Sequence, residues 1–346
     1  MIINIQILRG LAALWVFLHH ALPQFEFMGL SSTVFTALAN HGYMGVDVFF
    51  VISGLVIASS IERITPGLAG AGRFALKRLS RIYLGFWPVL LLTWLALNHY
   101  DPARLPLYDL PKSLFLLGIY GGELLIPPAW SLPYELYFYG LTTLLVLGLI
   151  KRPLWLFAPL MLLVLFRILW FDQTGHEWLD LLLTPHLIEF LLGFYLWHHR
   201  QLLISKKHAF SWGLLLLGSL YLSVTYYLVD SPWREPAIGL FSVSLVALAM
   251  TFENHTPKPV AAVLKPIGDS SYTLYLLHFF MLILFTGTGY RTWLINQGHE
   301  LTGFVAFIVL TLLFSYGFYR LVEKPLYQLA NRKFKKPTIL PQSHGK

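Results

Sequence analysis

"ILRGLAALWVFLHHAL" (residues 7–22) is the apolar body of a membrane-crossing helix, yet it keeps Arg9, His19 and His20. Ionisable groups are costly in hydrocarbon and are usually retained there for function. Arg9 and His20 are eleven positions apart, which on a helix separates them by about 16 Å along the axis. That puts Arg9 near the cytoplasmic face of a bilayer and His20 near the outer one. His19 points about 100° away from His20. No small-x-small cleavage site follows His20, so the run reads as a retained first span rather than a signal peptide.

The rest of the chain supports a membrane reading. Of 346 residues, 56% are apolar and only 12% are charged, and mean hydropathy is +0.63. A soluble protein of this composition would have a very large core and almost no surface. Aromatic residues make up 16%, which suits belts at the two interfaces. With no cysteine, disulfides, thiolate metal sites and a cysteine-linked acyl intermediate are excluded. The net charge of +8 is read as an orientation signal and not as a nucleic-acid footprint.

Ten spans can be drawn, at 3–22, 42–60, 79–99, 128–150, 153–171, 179–198, 210–229, 236–252, 267–288 and 301–322. "PKSLFLLGIY" (111–120) is too short to cross and reads as re-entrant or interfacial. With the N-terminus in the cytoplasm, Arg63, Arg73, Lys77, Arg78, Arg81, Lys151, Arg152, Arg200, Lys206, Lys207, Lys258 and Lys265 all fall inside. Outer loops keep only Arg104, Lys112, Arg234 and Arg291, together with most acids. This asymmetry follows the positive-inside rule. The expected fold class is therefore all-α: a polytopic integral membrane protein with about ten transmembrane helices and both termini cytoplasmic. Residues 1–330 form one membrane domain, and 331–346 a basic cytoplasmic tail.

Polar residues inside these spans are the functional candidates. Arg9 alone could be explained by snorkelling, and His20 by an interfacial position. Asp47 lies in the second span within "GVDVFFVISGLVI", about a turn below the outer surface, where a carboxylate can orient a histidine. In "RFALKRLSR", Lys77, Arg78 and Arg81 share a helical face, which makes either an ordinary positive anchor or a phosphate clamp. "PAWSLPYELYFY" puts Ser131 and Glu135 four apart on one face. An aromatic belt explains its Trp and Tyr residues, but not Glu135. In "SYTLYLLH", Ser271, Tyr275 and His278 form one polar stripe. Glu189 and Arg167 are read as a structural pair. No phosphate-binding glycine loop, GxSxG or HExxH motif occurs, and no metal is expected.

These stretches together resemble the acyltransferase 3 family of integral membrane acyltransferases, in order and over nearly the whole chain. Arg9 and His20 match its basic-residue–x10–His pattern, and Arg78 and Arg81 its Arg-x-x-Arg. The other three quoted stretches resemble its second-span, Trp-Ser-Leu…Glu and late Tyr-Leu-x-His motifs. The resemblance implies transfer of an acyl group, most often acetyl, from cytoplasmic acyl-CoA (acetyl-CoA) to a carbohydrate hydroxyl at or beyond the outer face of the inner (cytoplasmic) membrane. The chain resembles the stand-alone members, which do without the hydrolase-like domain of many relatives. A partner that completes the transfer would be a separate periplasmic protein.

The expected roles follow from both readings. Arg78 and Arg81 hold the coenzyme A phosphates, while Arg9 guides the pantetheine arm or balances buried carboxylates. His20 acts as general base, with Asp47 or Glu135 fixing its tautomer. Ser131, Tyr275 or His278 donates to the thioester oxygen. An acyl-His20 intermediate is the alternative chemistry. A proton-coupled transporter is the alternative function, since intramembrane His, Asp and Glu also build proton relays.

Overall fold

A computed structural model describes residues 2–119, 121–150, 152–170, 175–225 and 233–332. Among these residues there are helices and connecting turns but no strand. The helices in chain order are α1 (Ile3–Phe27), α2 (Thr33–Asn40), α3 (Met44–Ile61), α4 (Leu68–Tyr100), α5 (Leu110–Phe115), α6 (Ser131–Leu147), α7 (Pro153–Trp170), α8 (Glu177–Leu182) and α9 (His186–His198). They continue as α10 (Arg200–Leu203), α11 (Lys206–Thr225), α12 (Arg234–Thr251), α13 (Lys258–Asp269), α14 (Ser271–Gly287), α15 (Tyr290–Gln297), α16 (Glu300–Phe318) and α17 (Lys324–Arg332). A π-helical turn, Tyr319–Glu323, joins α16 to α17.

Among the described residues, eight helical segments are long and apolar enough to cross a membrane, or nine if α13 and α14 count as one bent span. The chain is a multi-pass membrane protein. The remaining expected span corresponds to α6, whose 17 residues reach about 25 Å against a hydrocarbon core of about 30 Å. Among its described residues the 111–120 segment holds only α5, which starts at Leu110 and is capped where the Lys112 amide donates to Asp109 Oδ1 at 2.8 Å. Residue 120, Lys151 and the tail from 333 on lie outside the described residues, while Asn331 and Arg332 close α17.

Three spans differ from expectation, the sixth, drawn at 179–198, being split into α8 and α9. The third was drawn at 79–99, but α4 begins at Leu68 and runs for 33 residues. Nothing after Gly67 breaks its hydrogen-bond ladder before the apolar part begins, so the basic segment 73–81 is a helical extension of the span. The ninth was drawn at 267–288, but the helix is broken by 64° between α13 and α14. The Ser270 hydroxyl donates to the Pro266 carbonyl at 3.0 Å, a local bond that competes with helix continuation.

The bundle centre is set by very close backbone approach. A Cβ at Gly54 of α3 would sit 1.9 Å from the Phe190 carbonyl oxygen, and one at Gly193 of α9 would sit 1.8 Å from that of Val51. Small residues of this kind let membrane helices touch along their backbones. Gly193→Val should therefore separate α3 from α9 and cost about 1–3 kcal/mol or more. Its apparent melting temperature in detergent checks this.

At the end of the bundle away from residues 73–81, Lys112 ties α5 to α8. Its ammonium donates to Glu123 Oε2 at 2.6 Å and Glu177 Oε2 at 3.1 Å. These hydrogen bonds raise the Lys112 pKa above its ordinary value. The contribution is full below the unfolded lysine value of about 10.4 and is lost only as pH rises through the folded value.

Candidate active site

A cavity of about 1260 Å³ opens between α1, α3, α4, α6, α14 and the C-terminal π turn with α17. It exceeds the ~300–1,000 Å³ usual for drug-sized ligands. Its rim is basic: Arg63, Arg73, Lys77, Lys324 and Arg332 are exposed lining residues, and Arg78 and Arg81 lie just inside. Arg78 donates to Ser60 Oγ at 2.5 Å, and its guanidinium lies 5.4 Å from the Phe74 ring and 5.5 Å from the Tyr139 ring. Arg81 is paired with Glu323 and lies 5.2 Å from the Tyr272 ring. Planar guanidinium groups held in this way suit phosphate. Deeper, Arg9 donates to Gln6 Oε1 at 3.4 Å and faces the charges of Arg81, Glu135 and Glu323. Glu135 accepts from Ser53 Oγ at 3.3 Å and from the Tyr139 hydroxyl.

The buried end of the cavity holds Ser131 and Tyr275. Their hydroxyl oxygens are 2.7 Å apart, and Tyr275 also donates to the Pro128 carbonyl. A carbonyl only accepts, so the chain runs from the Ser131 hydroxyl to Tyr275 and on to Pro128. Both hydrogens are used, and neither group is free to donate to a thioester oxygen as expected. Ser131→Ala removes one neutral bond and leaves the Tyr275–Pro128 bond in place. It should cost about 0.5–1.5 kcal/mol of stability and less than tenfold in transfer, checked by thermal unfolding and initial rates.

His20 and His278 lie beyond this end. Neither lines the cavity, but the His278 ring is 6.3 Å from that of Tyr275 and 5.0 Å from that of His20. His20 Nδ1 is 2.9 Å from the Val16 carbonyl, and His278 Nδ1 is 3.1 Å from that of Leu274. Since a carbonyl cannot donate, each Nδ1 carries the hydrogen and each neutral ring presents an Nε2 lone pair. Backbone thus sets the His20 tautomer, the task expected of Asp47 or Glu135. Neutral His278 is an acceptor at Nε2 and not the expected donor; that buried nitrogen has no hydrogen-bond partner among the described residues. His19 is turned away, with Nδ1 3.0 Å from the Ala39 carbonyl.

Asp47 belongs to a different group. Its Oδ2 accepts from Arg234 Nη2 at 2.9 Å, and it lies beside Glu189 and His186. The reason is helical phase. Gly45 meets the backbone of α1 at Ala12, and Asp47, two positions on, points about 200° round the helix toward α9 and α12. Arg234, expected in an outer loop, is buried as the counter-charge at the start of α12. Arg167 and Glu189 do not pair: Arg167 is 3.2 Å from Asp180, and Glu189 is 3.1 Å from His186 Nδ1. Asp47, His186 and Glu189 offer ligand atoms all within 4.8 Å of one another, a set that could hold a metal ion, although Arg234 already supplies positive charge there.

Two sets of residues were missed from sequence. Glu323, Lys324 and Arg332 come from the far end of the chain; the acid among basic residues in "LVEKPLYQLANR" was the only signal. The Arg234–Asp47–Glu189–His186 group unites α12, α3 and α9, and nothing in the sequence joins them.

The family model described as an acyltransferase domain matches residues 2–320. The exopolysaccharide production protein ExoZ of Rhizobium meliloti (strain 1021) is 26% identical over 324 residues, covering 82% of this chain and 89% of that protein. No solved structure matches the chain.

Proposed function

Because the chain belongs to the acyltransferase 3 family, we propose that it moves an acyl group, most often acetyl, from cytoplasmic acyl-CoA to a hydroxyl of an exported or cell-surface carbohydrate. The observation that carries this reading is the one-sided cavity, with cations at its rim and a neutral hydroxyl pair at its buried end. The name of the ExoZ relative supports a polysaccharide acceptor. The protein would sit in the cytoplasmic membrane with the basic rim inside.

In this reading the rim arginines hold the coenzyme A phosphates and the pantetheine arm follows the cavity past Arg9. The thioester comes to rest near Ser131 and Tyr275. The acceptor hydroxyl enters from the other side and meets His20 Nε2, which takes its proton. The acyl–sulfur bond breaks as the acyl–oxygen bond forms, and the proton ends on the coenzyme A sulfur. His278 Nε2, one ring away, is an acceptor that steadies the His20 imidazolium. The bond from Nδ1 to Val16 keeps Nε2 aimed and unprotonated between turnovers.

Membranes containing the protein, supplied with acetyl-labelled acetyl-CoA, test the reading. Label should enter carbohydrate, and coenzyme A should be released in equal amount. A transporter built on the same ionisable residues would consume no thioester, and that result would overturn the proposal.

A further inference from the structure

The family match ends at residue 320, three positions before Glu323. Yet Glu323 is buried to 1% exposure against the candidate phosphate clamp. One carboxylate oxygen accepts from Arg81 Nη1 and the other from the Thr273 hydroxyl. Arg81 is further confined between the rings of Tyr272 and Tyr327, at 5.2 and 6.0 Å. Tyr272 is itself fixed by donating to the Ile82 carbonyl at 2.8 Å. On the next turn of α4, a Cβ at Gly85 would come within 2.6 Å of Tyr272 Cε1 and 3.4 Å of Glu323 Cγ, so the bare glycine makes room for both.

Glu323 closes the π-helical turn Tyr319–Glu323. Such turns insert one extra residue and so rotate the side chains that follow. Glu323 consequently reaches the cavity, and α17 brings Tyr327 alongside Arg81. A guanidinium has five N–H donors. One is taken by Glu323, and the rest stay available in a fixed plane.

We infer that Glu323, carried by this π turn, positions Arg81 to bind the phosphate groups of the acyl donor, an inference that rests on the acyl-CoA reading above. It makes the C-terminal turn part of the donor site. The opposite role would be a stand-in anion that blocks Arg81 until the donor displaces it. The two differ in sign.

The test uses the full-length chain purified in detergent, with coenzyme A as the binding probe and acetyl-CoA for kinetics. Glu323→Gln should weaken coenzyme A binding about tenfold and raise the KM for acetyl-CoA equally, with kcat unchanged. Glu323→Asp, which keeps the charge, should recover part of that loss. In an Arg81→Ala background, Glu323→Gln should add nothing, as expected for residues acting through one another. Should Glu323→Gln fail to fold, Thr273→Val loosens the same carboxylate without removing charge and should give a smaller loss of the same kind. Unchanged or tighter binding in Glu323→Gln, or an additive loss in the double variant, would overturn the positioning role alone. If the unaltered chain binds no coenzyme A, the donor reading falls and the inference falls with it.

Discussion

His20→Ala is expected to lower acyl transfer by a factor of at least about 10², the lower end of what a positioned general base contributes, while coenzyme A binding stays unchanged. His20 is outside the cavity lining, so its loss leaves the rim arginines and their partners intact. What disappears is the Nε2 lone pair that the Val16 carbonyl keeps available. Arg81→Ala should do the reverse, weakening binding with a smaller effect on kcat. His19→Ala should transfer normally, because that ring is bonded to Ala39 and turned to another face. Rates in membranes together with equilibrium binding of coenzyme A separate the three. Full activity in His20→Ala would defeat the mechanism. If an acyl-histidine forms instead, acid quenching during turnover should trap label on His20.

Arg234→Met should be the most destabilising single change in the half of the bundle away from residues 73–81, by about 3–5 kcal/mol, the usual cost of removing one partner from a buried ion pair. It would leave Asp47 and Glu189, both with 0% exposure, facing each other without a counter-charge. Asp47 Oδ1 and Glu189 Oε1 already have no hydrogen-bond partner among the described residues, and His186, 3.1 Å from Glu189 Oε2, is the one polar ring beside them. Replacing both ends, as Arg234→Met with Asp47→Leu, should recover part of the loss, because the Asp47 charge goes with its partner and Glu189 keeps its contact with His186. Thermal unfolding in detergent reads both. A single variant within about 0.5 kcal/mol of the parent, the range of ordinary surface changes, would show that this pair does not hold α3 to α12.

The helical membrane class was legible without the structure, because hydrocarbon forces backbone groups to bond within each helix and so imposes long apolar runs. Local spacing also carried far. Arg78 and Arg81 share the cavity because three positions is nearly one helical turn, and the separation of Arg9 from His20 along α1 follows from the helical rise alone. Break points were less legible. Continuation of α4 back to Leu68 follows from an unbroken helical ladder, and the 64° bend at Ser270 from a local side-chain bond, neither of which hydropathy reports.

Tertiary structure decided which polar group meets which. Asp47 and His20 looked like partners because both lie a turn or so from the same face of the membrane. Depth is a one-dimensional coordinate, however, and partnership also needs azimuth. The Gly45 contact with α1 sends Asp47 round to Arg234, and the orienting bond to His20 comes from its own backbone at Val16. Glu323 was hidden for the same reason. It is 242 positions from Arg81 in the chain and becomes its neighbour only when the π turn swings α17 against α4. The sequence by itself determined the kind of protein and the spacing of charged groups along each helix, because those depend on helical rise and the cost of burying charge. The pairing of those groups was decided only when the helices were packed, because rotation about each helix axis is set by its neighbours.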